Sequence, residues 1–370
     1  MTSDHRYRTR ATDVNSVPAV ANLLAGLRLG TLDSANVVAH NGRNENWAGR
    51  TTSGANVFVK RLEGPAADVS RRLKNILTFE ELLAASSTAA LKAPRYLGCS
   101  QEDALVVFEL LPGARTGAER ADDDAFEEKD AFRVGEMIGA LHGINPAPAT
   151  TLDTSLPVLP PVSYLDALPL ETHRNSSFAE LELWRILQQD DALSAALRRL
   201  RDSEGQSADR RAIHGDFRLD QLLFVDDMPH LIDWEELRWG DPARDLGAFV
   251  GEWLYRALRK LPGTGTEDSP DPAGSADSGR ELVARGVREL LRRRPLIEQF
   301  CTGYRSTGRP FEAALRERSA GFAGWHLIDR VMAAAARRPS LTPLDRAALG
   351  TARTVLVDPA AVTKTLGLED

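Results

Sequence analysis

The chain has little cysteine, no long apolar run and no excess of basic charge. Its two cysteines, Cys99 and Cys301, are too few for a disulfide framework or a zinc site, and are expected as buried thiols in a reducing cytoplasm. No stretch approaches the roughly 18 apolar residues of a membrane helix. The first ten residues, MTSDHRYRTR, have no apolar stretch behind their charges, so no secretory signal is expected. A net charge of −7 argues against nucleic acid as the main partner. The local cluster Arg292, Arg293 and Arg294 reads as a solvated helix face. No repeat at solenoid or propeller spacing is present. What remains is 370 residues, 42% hydrophobic and 27% charged, the composition of a soluble cytoplasmic protein with length for one large two-lobed domain.

Between Thr31 and Lys60 two strands are expected, with turn chemistry at Thr51-Thr52-Ser53-Gly54. A helix follows, in which Leu73, Ile76, Leu77, Leu83 and Ala84 recur at three- and four-residue spacing. Arg95 to Gly98 and Ala104 to Phe108 read as two more strands. This order makes a small antiparallel sheet with one helix against it. After Pro112-Gly113 helical periodicity dominates, as in Ala131 to Leu141. It is broken by a long proline- and threonine-rich connection from Asn145 to Pro169. A small, polar, proline-rich stretch from Pro262 to Gly279 reads as a disordered surface loop. The expected organisation is an extension over 1–30, a nucleotide-binding lobe over 31–111, and a catalytic and substrate-binding lobe over 112–370.

The stretch Arg211 to Val225, followed by His230 to Glu235, carries the chemistry. Two short apolar strands, Leu222 to Val225 and His230 to Ile232, flank a turn at Asp226-Asp227-Met228-Pro229. The hairpin puts Asp216 and Gln221 on the loop before it and Asp233 just after it. Two carboxylates and an amide near one sheet end suit phosphoryl transfer. One carboxylate orients the attacking hydroxyl and accepts its proton, and hard oxygen ligands hold a metal against the phosphates. Positioning and charge neutralisation dominate such catalysis.

His-Gly-Asp, four residues, an amide, an apolar strand and Ile-Asp-Trp resembles the catalytic segment of aminoglycoside phosphotransferases and choline kinases. The resemblance implies an α+β, two-lobed protein-kinase-like fold, with an antiparallel-sheet lobe carrying one main helix and a larger helical lobe. It implies an enzyme that uses ATP and magnesium, and spans about Asp33 to Gly251. Asp216 would be the catalytic aspartate, Asp233 the principal magnesium ligand, and His214 a brace for the loop backbone. Asp245 matches the family's buried supporting aspartate. The family usually has Asn where this chain has Gln221, which keeps the amide oxygen but moves it by about one bond length, and magnesium is strict about geometry. Arg218 stands where protein kinases acting on Ser and Thr carry a lysine that contacts the transferring phosphate. It is either a catalytic cation or a surface arginine paired with Asp220.

By the same resemblance Lys60, at the end of Val57-Phe58-Val59-Lys60, would reach the ATP phosphates and pair with a helix glutamate. Glu80 falls on the inward stripe and Glu81 towards its edge, so Glu80 is the expected partner. The connection His40 to Gly49 would cover the phosphates, with Gly42, Asn44 and Asn46 as contributors. The Glu109 carbonyl and Leu111 amide would meet adenine at the hinge.

The acceptor is less legible. Asp122 to Asp124 with Glu127 and Glu128 read as a solvated helix start. The Asn44 to Gly49 and Val57 to Leu62 combination is similar to the kinase subunits of class V lanthionine synthetases. That resemblance implies phosphorylation of Ser or Thr in a precursor peptide, with separate lyase and cyclase partners. A small-molecule hydroxyl acceptor and a nucleotide-binding pseudokinase scaffold are the alternatives, the last kept open by Gln221.

Overall fold

The computed structural model describes residues 12–33, 37–40, 43–86, 88–146, 150–157, 160–260 and 276–369, with the side chains of His40 and of 276–287 excepted. Contacts group it into two units. Unit one takes in the described residues of Met1–Asp123, Pro146–Asp153 and Asp220–Leu237; unit two holds those of Asp124–Asn145, Thr154–Leu219 and Arg238–Asp370.

Unit one begins with helix α1 (Pro18–Gly26). A five-stranded antiparallel sheet follows, from β1 (Val38–His40), β2 (Glu45–Arg50), β3 (Asn56–Arg61), β4 (Tyr96–Ser100) and β5 (Leu105–Glu109), in the order β1-β2-β3-β5-β4. Helix α2 (Ala66–Ala85) lies between β3 and β4 in the chain. The expected turn between β2 and β3 is present, with Gly54 at φ +90° and the Thr51 N–H bonded to the Ala55 carbonyl at 2.8 Å. The two-residue period of β3 sends Val57 and Val59 to one face, where they are fully buried against Val17, Val20 and Leu24 of the α1 segment. It therefore sends Lys60 to the other face. The segment before the sheet thus closes one side of it.

A short β6 (Arg115–Thr116) and α3 (Gly117–Asp122) complete the N-terminal part of this unit. In unit two, α4 (Glu128–His142) starts in a capping box between Glu127 and Asp130. Helices α5 (Leu170–Asn175), α6 (Phe178–Gln189) and α7 (Asp191–Gln206) precede β7 (Arg211–Ile213). The chain then returns to unit one for the hairpin β8 (Leu222–Val225) and β9 (Met228–Leu231), with β6 on the other side of β8. Its turn is shorter than the sequence suggests. Asp226 and Asp227 have φ of +47° and +62°, the signature of a two-residue turn matched to strand twist, so Met228 and Pro229 already pair in β9. Pro229 is tolerated because β9 is an edge strand.

Strand β10 (Arg238–Gly240) pairs with β7, and α8 (Ala243–Arg259), α9 (Ala276–Ser306), α10 (Ala313–Ala335), α11 (Pro343–Val357) and α12 (Pro359–Val362) complete unit two. Of the loop expected over Pro262 to Gly279, residues 261–275 lie outside the described residues and 276–279 already belong to α9. The arginine cluster on α9 is no simple solvated face: Arg293 is buried, lies over Trp253 and pairs with Asp124 at 2.9 Å. Helices α8 and α10 approach closely where Gly247 faces the Ser319 carbonyl, with no room for a Cβ. Among the described residues no helix is long and apolar enough to cross a membrane.

Candidate active site

In unit one the metal-binding segment expected after β9 is docked onto α2. Residues Arg72, Asn75, Ile76, Phe79 and Leu82 form the buried stripe of that helix. Trp234 stacks on Phe79, with ring centroids 3.4 Å apart and planes at 9°. The Asn75 side-chain amide donates to the Glu235 carbonyl at 2.8 Å, and Arg71 reaches Glu236 at 2.9 Å. Asp233 itself has φ +70°, an uncommon backbone state for a residue with a side chain. The docked residues that follow it help hold that conformation.

The charges here form one network. Lys60 Nζ lies 2.5 Å from Asp233 Oδ1 and also pairs with Glu235. Glu235, 6% exposed, receives Arg72 Nη1 at 2.8 Å and the Asn44 amide at 2.7 Å. Arg72 is fully buried, donates to Asn44 Oδ1 at 2.9 Å, and meets Asp68 at 3.0 Å. Burial acts to lower the Lys60 pKa, but the carboxylates of Asp233 and Glu235 outweigh it and hold the pKa above the ordinary lysine value. The ammonium is charged throughout the physiological range.

Glu80 is not part of this network. The buried stripe of α2 is centred about one residue before the one read from its aliphatic residues, which turns Glu80 towards the edge. Its Oε1 is buried without a hydrogen-bond partner, and burial pushes its pKa up to about 7. The partners of Lys60 are Asp233 and Glu235, so the expected pairing with Glu80 is corrected.

Other expected nucleotide residues keep distinct places. Gly42 lies outside the described residues. Asn46 stands opposite Lys60 in the β2–β3 register, and its amide donates to the Asn44 carbonyl at 3.2 Å. Glu109 closes β5. Leu111 follows Leu110, whose N–H bonds the Asn56 carbonyl at 3.1 Å. Gln221 is buried, and its carbonyl accepts from the Ile232 N–H at 3.0 Å, one step past the Leu222–Leu231 pair. The ladder therefore brings Gln221 and Asp233 to the same end of the hairpin.

In unit two the loop after β7 is held by Asp245, the third residue of α8. Fully buried, Asp245 accepts the His214 N–H at 2.7 Å and the Gly215 N–H at 2.9 Å, and meets His142 Nε2 at 3.1 Å. Burial raises the Asp245 pKa, but the His142 hydrogen bond, the nearby imidazoles and the backbone donors outweigh it and hold the pKa below the usual carboxylate range. Gly215 has φ +84°, where a side chain would be strained. The His214 ring is buried edge-on to Phe217, and Phe217 joins Phe249 and Phe300 in a stack. Between these anchors the Asp216 side chain stays 43% exposed, with Arg218 Nη1 at 3.1 Å. An exposed carboxylate on an anchored loop can accept a hydrogen bond from a hydroxyl.

A sequence model of the phosphotransferase enzyme family, APH, matches residues 35–292, more than half of the chain. The chain belongs to that family. It is a phosphotransferase. Among curated proteins none matches it by sequence. Among the solved structures that share its fold are two kinases by name. The amicoumacin kinase hAmiN in complex with AMP-PNP, Ca2+ and Ami is 12% identical, covers 93% of this chain and 95% of its own, and has a TM-score of 0.51. A putative fructosamine-3-kinase from Thermobifida fusca YX-ER1 is 17% identical, covers 92% and 99%, and also has a TM-score of 0.51. The phosphotransferase thus has the protein-kinase-like α+β fold, with an antiparallel-sheet N-terminal region and a helical C-terminal region.

The donor set at the hairpin end fits a divalent metal bound together with phosphates. Asp233 and Gln221 offer hard oxygens, and magnesium takes one or two carboxylates with phosphate oxygens and water, not an all-protein cage. Among the described residues no group of three or more His, Cys, Asp or Glu side chains is arranged to hold a metal. Sequence reasoning missed four residues that touch these segments: His142, Phe217, Arg72 and Glu235. His142 ends the apolar face of α4, and Arg72 lies on the buried face of α2. The rule that an ionisable group on an inward stripe needs a partner was available for both.

Proposed function

We propose that this phosphotransferase moves the γ-phosphoryl group of ATP to a hydroxyl of a small molecule. The observation that carries the reading is the Lys60–Asp233 pair at 2.5 Å, which joins a phosphate-reaching cation to a metal-binding carboxylate at the end of the β8–β9 hairpin. A divalent metal bound there with ATP supplies charge neutralisation at the transferring phosphate. Lys60 holds the phosphates, Asp233 and Gln221 hold the metal, and the Glu109 carbonyl and Leu111 amide take adenine. Asp216 orients the acceptor hydroxyl and receives its proton, while Asp245 and His142 keep the loop in place.

The small-molecule acceptor is supported by the names of the fold relatives, an amicoumacin kinase and a putative fructosamine-3-kinase. The peptide reading rests on the N-terminal combination and on Arg218. In the structure Arg218 is bound to Asp216 itself, a use that requires no peptide. The test is incubation with ATP, magnesium and a panel of amino sugars, choline-like alcohols and sugar-amine adducts beside a Ser/Thr-rich peptide. Mass spectrometry then looks for a gain of about 80 Da. A phosphorylated small molecule is expected. Phosphorylation of the peptide alone would overturn the acceptor class, and ATP binding without transfer to any acceptor would favour a scaffold.

A further inference from the structure

In unit one, α2 meets the nucleotide lysine through a cation instead of a carboxylate. The expected helix anion, Glu80, has a buried oxygen with no partner. What faces the network from α2 is Arg72, fully buried, and Arg72 binds Glu235 at 2.8 Å. Glu235 in turn pairs with Lys60. Glu235 is held from every side that the described residues offer: by the Arg72 guanidinium, by the Asn44 amide at 2.7 Å, and at its carbonyl by Asn75 at 2.8 Å.

We infer that Glu235, two residues beyond the metal-binding Asp233, positions Lys60 for the phosphates, and that α2 acts on Lys60 through Glu235, which it holds by Arg72 and Asn75. The inference rests on Lys60 being the phosphate-reaching lysine proposed above. Its physical basis is a balance of exchangeable and fixed partners. Lys60 faces two anions, Asp233 and Glu235, while Arg72 pairs with Glu235 and Asp68. A metal that takes Asp233 as a ligand withdraws that carboxylate from Lys60. Glu235 has no such competing role, because Arg72 and Asn44 keep it where it is. Lys60 then retains one anionic partner and turns its remaining donors to the phosphates. Asn44 links the loop between β1 and β2 to this pair, since its amide binds Glu235 while its carbonyl oxygen accepts from Arg72 and from the Glu63 N–H at 3.2 Å. The stretch expected to cover the phosphates is thereby tied to the residue that orients the lysine.

The experiment compares the full chain with Glu235→Gln, Glu80→Gln and Lys60→Met, titrating ATP with magnesium and, separately, adenosine. Adenosine lacks the phosphates, so a loss of global structure weakens both ligands, whereas a misplaced Lys60 weakens ATP alone. Glu235→Gln is expected to weaken ATP about ten- to hundredfold, to leave adenosine within about twofold, and to raise the ATP KM more than it lowers kcat. Glu80→Gln is expected to bind ATP within about twofold of the parent. Equal weakening of ATP and adenosine by Glu235→Gln, or an ATP loss confined to Glu80→Gln, would overturn the inference. If Lys60→Met binds ATP like the parent, the underlying assignment of Lys60 fails. If Lys60→Met loses ATP and Glu235→Gln does not, only the role of Glu235 fails. Should Glu235→Gln not fold, Asn44→Ala removes one of the bonds to Glu235, and the same ATP-selective loss, about three- to tenfold, is expected. A loss shared with adenosine there overturns the proposal equally.

Discussion

The two units hold their functional segments by different physical means. In unit two the loop carrying Asp216 hangs on one buried carboxylate, Asp245, which accepts two backbone N–H groups and meets one imidazole. In unit one the segment carrying Asp233 is set in a network of full charges, with Lys60 and Arg72 against Asp233 and Glu235. The first arrangement has a single geometry, because backbone donors cannot change partners without moving the loop. The second could exchange partners, since under the proposed function a metal and phosphates would substitute for charges already present. A rigid loop suits a group that is proposed to orient a hydroxyl and accept its proton. An exchangeable network suits a site whose occupant carries several charges and must leave again.

The comparison is tested most strongly at Asp216. Asp216→Asn keeps the loop anchored through Asp245 and Phe217 but removes the proposed proton acceptor. Turnover is expected to fall about 10²–10⁴-fold, the usual worth of general-base assistance, with ATP affinity unchanged by titration. A comparable loss of ATP affinity would mean that the two functions are not divided as described.

The next effect in size is on stability. Asp245→Asn leaves one carbonyl oxygen where two backbone donors and an imidazole converged. It is expected to destabilise unit two by about 2–4 kcal/mol in denaturant unfolding, and to lower turnover as well. The pH dependence has a definite sign. Because the folded Asp245 pKa lies below the ordinary carboxylate value, its contribution is fully present above that value and is lost as pH falls through the folded pKa. The parent should therefore lose stability on acidification more steeply than Asp245→Asn. Parallel acid-unfolding curves would remove Asp245 from its anchoring role.

Much of this was legible in the residues, unevenly. The strand-turn-strand patterns around Lys60 and around Phe224 follow from two-residue alternation and turn chemistry, and both hairpins are present. The end of the second was misjudged because proline reads as a turn residue, whereas an edge strand accepts Pro229. The segment from His214 to Asp245 was legible because its chemistry depends on residue types close in sequence. The partner of Lys60 was not. The choice of Glu80 assumed that the aliphatic residues alone mark the inward face of α2. Here that face also carries Arg72 and Asn75, whose burial makes sense only once Glu235, far along the chain, is placed against them. Long-range charge pairing of this kind has no periodicity to betray it.

Glu80 offers the smallest effect and the sharpest contrast within unit one, since it is a partly buried carboxylate beside a network that satisfies every other one. Burial raises its folded pKa to about 7 from the ordinary 4.5. The folded state therefore binds the proton more tightly than the unfolded state, so stability is highest below the unfolded value and is lost as pH rises towards 7. Above that, the ionised carboxylate carries a constant penalty, softened because the group is partly exposed to water. Glu80→Gln removes the penalty. The variant should match the parent at pH 4.5 and exceed it at pH 8 by about 1 kcal/mol, read as a rise of a few degrees or less in Tm. A Glu80→Gln variant less stable than the parent at pH 8 would show that the carboxylate has a favourable partner, and the division between a satisfied Glu235 and an unsatisfied Glu80 would fail.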